Sequence, residues 1–519
     1  MGLYDDLKHQ SLSVVSSFPS TEETGKFLQL QETFQEQYAH YYNNKTAARC
    51  VVIIPSLTLD REILERVHGH FYYEERMLCL LMLLRMPRTH VTFVTSMPVD
   101  PVIIDYYLHL LPGITGYHAR QRLTLLSCFD ASPKPLTEKV LERPRLLDRI
   151  RNSIPSGYPA HLTCFNITEK ERKLALNLGI PLYGTNPDLN FLGTKSGSRK
   201  IFKACGIRLP DGFEDIKNEE EVIDSLVLLK HNAPSLEKAV VKLNDGFSGE
   251  GNAIFSYEGA PHPDLLRQWI AEQLPHRLKI VADRFSYKSY IDKLKLMGGI
   301  VEAFIDGAEK TSPSVQCRIN PLGETDIIST HDQVLGGESG QVFLGAYFPA
   351  KMDYAVELGR IGRTVSEELK KYGVLGRFGI DFMCVKENEE WNIYAIEINL
   401  RKGGTTHPYL MLQFLTDGEY DANEGRFFMH DHKERFYFAT DNLQRDCYKG
   451  LTPHDLIEIA MCNGLLYDSV SEEGVMFHLI SALSQYGKLG LVCIGSTHDR
   501  AVDFFNKVVI TLNEECNCY

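Results

Sequence analysis

Three oxygen-bearing side chains, Asp381, Glu397 and Asn399, fall within a short stretch of the chain. Two carboxylates and a carboxamide that converge on one point are hard oxygen ligands suited to Mg²⁺, which completes its shell with phosphate oxygens. This chemistry requires that the surrounding chain bring the three side chains together. An ordinary hairpin with polar residues on its wet face would explain the same residues equally well.

The segments that carry these residues have the pattern of a β-hairpin. Residues 378–385 and 392–400 are apolar-rich and alternating, and a polar turn separates them. Residues two apart on a strand share a face, so we expect Glu397 and Asn399 to point the same way, while Ile396 and Ile398 point into a core. Asp381 then joins them from the neighbouring strand.

A second candidate for phosphate chemistry is a lysine followed by a glycine-rich turn. Lys242 ends the short apolar run 239–243, and the turn 244–251 leads into a second apolar run, 253–257. Glycines let backbone N–H groups approach anionic oxygens, and the lysine adds a compact positive charge. A mobile β-turn would explain the glycines about as well. The candidate phosphate-loop residues are Gly246, Phe247, Ser248, Gly249 and Gly251.

The order of the motifs carries more information than any one of them. Lys195 precedes a predicted helix, Lys242 and its loop follow, then the segment 301–309, then the hairpin with its three oxygen ligands. Over about residues 190–420 this order resembles the ATP-grasp superfamily. The resemblance implies that the two lysines hold nucleotide phosphates and that Glu309 binds the ribose. It also implies an adenine site made by Glu302, Ala303, Phe304 and Ile305, and a metal triad made by Asp381, Glu397 and Asn399.

Further segments narrow the resemblance to the pheganomycin-type peptide ligases. Residues 330–337, 345–349 and 397–408 resemble the ligase core of that group, and the segments 70–76 and 450–456 resemble its flanking domains. The resemblance implies ATP with Mg²⁺ (Mn²⁺ is possible), an amino-acid-like carboxylate, an amine or peptide acceptor, and a possible homodimer. This sequence departs from many ATP-grasp ligases in one respect. Those enzymes have an arginine two residues before the metal aspartate, where this chain has Gly379. The sequence therefore leaves open which arginine contacts the transferred phosphate.

Several residues are candidates for contact with the substrates. We expect Arg401, on the metal strand, to stabilise the tetrahedral oxyanion. Arg318 either forks onto the substrate carboxylate or makes a surface salt bridge, and the sequence favours neither. His331 and Gln333 open a glycine-rich stretch that is either a substrate loop or a capped turn. Three residues after the metal strand complete the predicted wall of the substrate site: Gly404, Thr405 and His407.

Composition and charge exclude some functions. The chain has 519 residues, of which 44% are hydrophobic and 24% charged, as in ordinary globular proteins. The formal charge of −13 argues against nucleic-acid binding. No apolar run approaches the ~20 residues that a membrane span needs, and the N-terminal segment has no signal-peptide core. Twelve scattered cysteines without metal-ligand spacing are expected to be reduced thiols, so we expect a cytoplasmic protein.

The alternation of apolar runs predicts an α/β protein of several domains. We expect an N-terminal helical extension (1–48), a Rossmann-like domain (49–190), and a two-lobed ATP-grasp domain (191–425, with lobes 191–299 and 300–425). A charged, loop-like linker (421–447) and a small α/β C-terminal cap (445–519) follow. Helices are predicted at 60–85 and 475–485, among others.

Three functions fit this sequence. The first is an ATP-dependent carboxylate–amine ligase that works through an acyl phosphate, as the resemblance implies. The second is a phosphotransferase that uses the same nucleotide site on a small molecule. The third is a non-catalytic ATP-binding regulatory protein, against which the retention of both lysines and all three metal ligands argues.

Overall fold

The computed structural model describes residues 21–42, 44, 46–59, 61–246, 251–282, 285–336 and 342–518. Three predicted phosphate-loop residues lie outside the described residues: Phe247, Ser248 and Gly249. Within the described ranges, no helix combines the length and the apolar character that crossing a bilayer requires.

The N-terminal region is a parallel four-stranded sheet flanked by helices. The strand order is β3-β2-β1-β4, and each neighbouring pair is parallel. This confirms the predicted Rossmann-like arrangement. Its elements are α1 Thr21–Tyr42, β1 Arg49–Ile54, α2 Arg61–Leu64, a 3₁₀ helix His70–Arg85, β2 Thr89–Thr95, α3 Pro101–His109, α4 Gly116–Arg120, β3 Leu123–Ser127, α5 Leu136–Leu141, α6 Pro144–Asn152, β4 Ala160–Cys164 and α7 Glu169–Leu178.

The single helix predicted for residues 60–85 is wrong. The structure has a short helix, Arg61–Leu64, and then a separate 3₁₀ helix, His70–Arg85. Gly69 lies between them with φ of +67°, a left-handed conformation that glycine adopts without strain. A Cβ at this position would lie 2.7 Å from the ring of Tyr486 in the C-terminal region, so the close approach of that ring also requires glycine.

The next region forms the first lobe around an antiparallel five-stranded sheet. The strand order is β5-β9-β6-β7-β8, and helices cover the buried side. The predicted lysine strand is β6, which pairs with β7 across the glycine-rich turn. The elements are a 3₁₀ helix Pro187–Gly193, α8 Lys195–Ala204, β5 Gly212–Ile216, α9 Glu219–Asn232, β6 Lys238–Leu243, β7 Asn252–Ser256, α10 Pro263–Arg277, β8 Lys279–Ile280, α11 Tyr287–Met297 and β9 Gly299–Ala303.

The second lobe and the C-terminal region share one eight-stranded sheet of order β14-β13-β10-β11-β12-β17-β19-β18. The two parts join where β12 pairs with β17, with Ala346 opposite Ala439. The elements are β10 Lys310–Ile319, β11 Thr325–Gly336, β12 Val342–Phe348, α12 Met352–Lys371, β13 Gly376–Glu387, β14 Glu390–Asn399, α13 Thr406–Thr416, β15 Glu419–Asp421, β16 Arg426–Phe428, β17 Phe436–Gln444, a 3₁₀ helix Asp446–Tyr448, α14 Pro453–Cys462, β18 Gly474–His478, α15 Ser481–Tyr486, β19 Lys488–Gly495 and α16 His498–Glu515.

Two further predictions fail in the C-terminal region. The predicted charged linker, residues 421–447, contains the strand Phe436–Gln444, whose alternate residues are buried. The predicted helix 475–485 is instead a strand, Gly474–His478, followed by a short helix, Ser481–Tyr486. A short, wholly buried apolar run has no period that distinguishes strand from helix, which explains this error.

One pair of cysteines departs from the expectation of reduced thiols. The sulfur atoms of Cys447 and Cys518 are bonded, and their Cα atoms lie 5.9 Å apart. The other ten cysteines carry free thiols. The pair is 71 residues apart in sequence, so spacing alone could not identify it.

Candidate active site

The predicted metal ligands meet on the hairpin formed by β13 and β14. Asp381 lies directly opposite Glu397 in the ladder. The Asn399 side chain lies between them, since its Nδ2 donates to Asp381 Oδ2 at 2.8 Å and to Glu397 Oε1 at 3.3 Å. Gln333, on β11, donates to the other oxygen of Asp381 at 2.8 Å. Two carboxylates and two carboxamides thus form one polar cluster.

A β-bulge places one hairpin residue differently from the expectation. The register shifts between Asp381 and Phe382, so that Phe382 pairs with Ala395 and Ile396 is the extra residue. Ile398 is buried, as predicted, but Ile396 lines the cleft rather than the core. Strict alternation fails at a bulge, because two residues on one strand oppose a single residue on the other.

The electrostatics of the two carboxylates differ. Burial, together with the negative charge of Glu397, raises the pKa of Asp381 to about 7. Burial alone would also raise the pKa of Glu397. The charge of the ion-paired Lys195 ammonium and its hydrogen bond have the larger effect and lower this pKa to about 2. Two half-buried carboxylates directly opposite one another repel, and a cation between them relieves that repulsion. The donor set and this repulsion therefore fit a hard divalent cation.

The two predicted phosphate lysines both point toward this region. Lys195 is the first residue of α8, and the N-cap residue of this helix, Thr194, accepts a hydrogen bond from the backbone N–H of Gly197 at 3.0 Å. The Lys195 ammonium forms an ion pair with Glu397. Lys242, near the end of β6, places Nζ 2.5 Å from Glu302 Oε1. Each lysine thus pairs with a carboxylate, and each lines the cleft as a positive charge.

The predicted adenine segment lines the cleft, but its glutamate has another role. Glu302 is buried, and Arg199 donates to its second oxygen at 2.8 Å while Lys242 occupies the first. Its carboxylate therefore holds two cations, which leaves the backbone of residues 303–305 as the part of this segment open to a base. Glu309 is exposed, 3.8 Å from Lys386, and does not line the cleft described below, so its expected contact with a ribose is not supported.

These side chains line a single cleft of about 1100 Å³ between the two lobes. Arg401, which follows β14, lines it as well, and burial lowers the pKa of this guanidinium. Arg377, four residues before Asp381, is the other arginine near the metal aspartate; it is half-buried and does not line the cleft. The predicted site residues that line the cleft are Lys195, Lys242, Gly246, Gly251, Glu302, Ala303, Phe304, Ile305, Gln333, Asp381, Glu397, Asn399, Arg401, Gly404 and Thr405.

Three residues predicted to contact substrate do not line this cleft. Arg318 lies on β10, and its Nε and terminal nitrogen donate to Asp326 at 2.9 and 2.5 Å. It therefore makes the salt bridge that was its alternative role. His331 is fully buried on β11 rather than in a loop, with Nε2 2.7 Å from the Tyr437 hydroxyl. His407 is buried beside Asp441.

Other cleft residues escaped the sequence analysis. Arg76 comes from the N-terminal region, where its guanidinium lies between the rings of Tyr73 (4.9 Å) and Phe165 (4.6 Å). Its terminal nitrogen donates to Asp441 at 3.3 Å, and both residues line the cleft. His498, the first residue of α16, lines it from the C-terminal side. The only signal was that Arg76 ends the segment 70–76, which resembles the flanking domain of a known group.

Comparisons with known proteins agree with this geometry. Residues 189–262 and 264–423 match a family described as "IQCH-like, ATP-grasp", and residues 455–504 match one described as "PGM1 C-terminal domain". A relative named L-propargylglycine–L-glutamate ligase, from Streptantibioticus cattleyicolor, is 28% identical over 87% of this chain and 91% of its own length. The IQ motif-containing protein H of Danio rerio is 22% identical over 91% of this chain, which spans about half (49%) of that protein.

Solved structures share the fold. The biotin carboxylase domain of Hydrogenobacter thermophilus 2-oxoglutarate carboxylase, solved with MgADP and bicarbonate, has a TM-score of 0.51 at 12% identity and covers 88% of both chains. Campylobacter jejuni biotin carboxylase, solved as a β-γ-ATP complex, has the same TM-score and identity, over 89% of this chain and 90% of its own. Motif order, lobe architecture and family match therefore agree that residues 189–423 of this chain form an ATP-grasp domain.

Proposed function

We infer that the chain is an ATP-dependent ligase that joins a carboxylate to an amine and releases ADP and phosphate. The observation that carries this inference is the convergence, in one cleft between two lobes, of a paired carboxylate cluster, two lysines and an arginine. The similarity to an amino-acid ligase over almost the full length of both chains supports the same reaction class.

Asp381, Glu397 and Asn399 would hold Mg²⁺, or Mn²⁺ in its place. When bound, the ion supplies Lewis-acid charge that stabilises the transferring phosphoryl group. Asn399 would turn its carbonyl oxygen toward the cation, since its Nδ2 donates to both carboxylates without one. Release of the Lys195 ammonium from Glu397 would free that carboxylate at the same time.

Lys195 and Lys242 would exchange their carboxylate partners for nucleotide phosphates. In the free protein each ammonium forms an ion pair with one glutamate: Lys195 with Glu397, and Lys242 with Glu302. The ammonium groups would screen the phosphates during attack by the substrate carboxylate. Exclusion of water from the cleft would protect an acyl phosphate from hydrolysis. Arg401 would stabilise the oxyanion when the amine attacks the activated carbonyl.

The proposed substrates are a small, amino-acid-like carboxylate and an amine or peptide acceptor. The cleft also carries Arg76 and Arg401, which offer positive charge to the carboxylate of an amino-acid-like substrate. Gln316 and Thr405 are hydrogen-bonded to each other there and add neutral polar groups. The named substrates of the 28% identical relative, propargylglycine and glutamate, belong to this chemical class.

A trapping assay tests the reaction class. The protein is incubated with ATP, Mg²⁺, mixed amino acids and hydroxylamine, and we expect a hydroxamate with one ADP and one phosphate per turnover. Glu397→Gln and Asp381→Asn should abolish it while the fold is kept. Glu309→Gln is the matched control, because this glutamate lies outside the cleft and should leave turnover unchanged.

The other outcomes assign other functions. A phosphorylated product without hydroxamate would make the protein a phosphotransferase. Stabilisation by ATP against heat without release of ADP would make it a nucleotide-binding regulator. Turnover that persists in both metal-site variants would remove the role assigned to the carboxylate cluster.

A further inference from the structure

A second cluster of ligand-type side chains lies beside the cleft, and the proposed ligase mechanism does not use it. It consists of His407, Asp441 and His478, which we call the His–Asp–His cluster. The residues come from three elements, α13, β17 and β18, and lie 34 and 37 positions apart in sequence. All three are nearly inaccessible, with 3%, 7% and 1% of their surface exposed.

The three ligand atoms form a compact triangle. His407 Nε2 lies 3.2 Å from Asp441 Oδ1, His478 Nε2 lies 2.7 Å from the same oxygen, and the two nitrogens are 3.0 Å apart. As two separate N–H donors to one oxygen they would be crowded, because the angle between them at that oxygen is only about 60°. As ligands of one metal they are well placed, since a point about 2.0–2.1 Å from all three atoms lies about 1 Å above their plane.

The hydrogen bonds around the His–Asp–His cluster leave the same three ligand atoms facing one another. Asp441 Oδ2 accepts from Arg76 at 3.3 Å, which fixes the carboxylate and leaves Oδ1 for the two histidines. In both rings, Nδ1 has no hydrogen-bond partner among the described residues, so Nε2 is the engaged nitrogen of each ring. A ligating carboxylate whose other oxygen accepts a hydrogen bond, as Asp441 does from Arg76, is a common arrangement at protein metal sites.

We propose that the His–Asp–His cluster binds one divalent transition-metal ion of the Zn²⁺ class, at a site separate from the nucleotide-bound Mg²⁺. Imidazole nitrogens favour Zn²⁺ and its neighbours in the first row, whereas an all-oxygen set favours Mg²⁺, so the two sites select different ions. The ion would tie α13, which follows the metal hairpin, to two strands of the C-terminal region. A fourth position would stay open to water.

The site can be tested on the full-length protein, prepared without a histidine tag and stripped with a chelator. Zn²⁺ titration followed by dialysis and elemental analysis should give one equivalent per chain. Co²⁺ in place of Zn²⁺ should give visible absorption bands of a nitrogen- and oxygen-ligated ion. This second readout needs only the wild-type protein, so it stands even where a variant fails to fold.

Three variants locate the ion. His478→Phe should lower the bound Zn²⁺ at least tenfold and remove the Co²⁺ bands. His331→Phe is the matched control, because this histidine is equally buried but lies outside the cluster, and it should keep the full equivalent. Asp381→Asn should also keep Zn²⁺ while losing the Mg²⁺-dependent binding of ATP.

The proposal is overturned if folded wild-type protein retains less than a tenth of an equivalent and shows no Co²⁺ bands. It is also overturned if Asp381→Asn removes the ion and His478→Phe does not, because the nucleotide site would then be the only site loaded. None of these results depends on turnover, so failure of the ligase proposal leaves the test intact.

Discussion

The pairing of Lys242 with Glu302 predicts a large, nucleotide-sensitive coupling inside the first lobe. The ammonium and carboxylate atoms are 2.5 Å apart, and both residues are at least nine-tenths buried. At an effective dielectric constant of ~20 this separation corresponds to about 6–7 kcal/mol of Coulomb energy before desolvation. Loss of one partner of a buried pair typically costs about 3–5 kcal/mol. We expect the lower end, because Arg199 still pairs with Glu302.

The test is a double-mutant cycle of Lys242→Met and Glu302→Gln. The predicted coupling free energy is about 2–3 kcal/mol in the free protein. Saturating Mg·ATP should reduce it, because phosphate oxygens replace Glu302 as the partner of Lys242. An exposed pair on α11 of the same lobe, Lys295 with Asp292 at 4.0 Å, serves as the control and should give less than about 0.5 kcal/mol.

The chain offers a local probe for this measurement. It has two tryptophans, Trp269 on α10 of the first lobe and Trp391 on β14 of the second. In a Trp391→Phe background, fluorescence during urea unfolding reports the first lobe alone. A coupling below about 0.5 kcal/mol, or one that Mg·ATP leaves unchanged, would refute the assignment of Lys242 as a lysine that moves from Glu302 to phosphate.

Three further predictions concern the cleft. Arg401→Ala should lower kcat by about 10²-fold while the Kd for ATP changes less than threefold; the opposite pattern would make Arg401 a nucleotide ligand. The pKa of Asp381 is about 7 in the free protein, and cation binding needs the deprotonated form, so Mg·ATP binding should release a proton at pH 6.5 and weaken as the pH falls. Calorimetric heats that do not depend on the buffer's ionisation enthalpy would contradict this. Arg76→Met should raise the KM for the amino-acid substrate, with little change in the Kd for ATP; an equal loss of both would make its role structural.

Local features of the site could be predicted from sequence. The prediction of a hairpin that carries Asp381 and Glu397 depends only on strand alternation within about twenty residues. In the structure these two residues pair directly. Lys242 likewise ends an apolar run that forms a strand. Period-two patterns depend on neighbours along the chain, so one sequence suffices to find them.

The remaining features depend on contacts between distant segments. Arg76 and Asp441 are 365 residues apart, and no local pattern indicates that they meet. The bulge that turns Ile396 toward the cleft and the burial of His331 depend on pairing and packing that alternation does not encode. The strand Gly474–His478 is recognisable only once its neighbour β19 is in place.

The transfer of a carboxylate oxygen to phosphate tests the ligase mechanism most directly. Wild-type protein is incubated with ATP, Mg²⁺ and a mixture of amino acids whose carboxylates carry ¹⁸O, and the released phosphate is analysed by mass spectrometry. Attack of the carboxylate on ATP predicts one ¹⁸O atom in the phosphate, and none from Asp381→Asn because no phosphate forms. Unlabelled phosphate, or release of AMP and pyrophosphate, would contradict an acyl phosphate formed in this cleft.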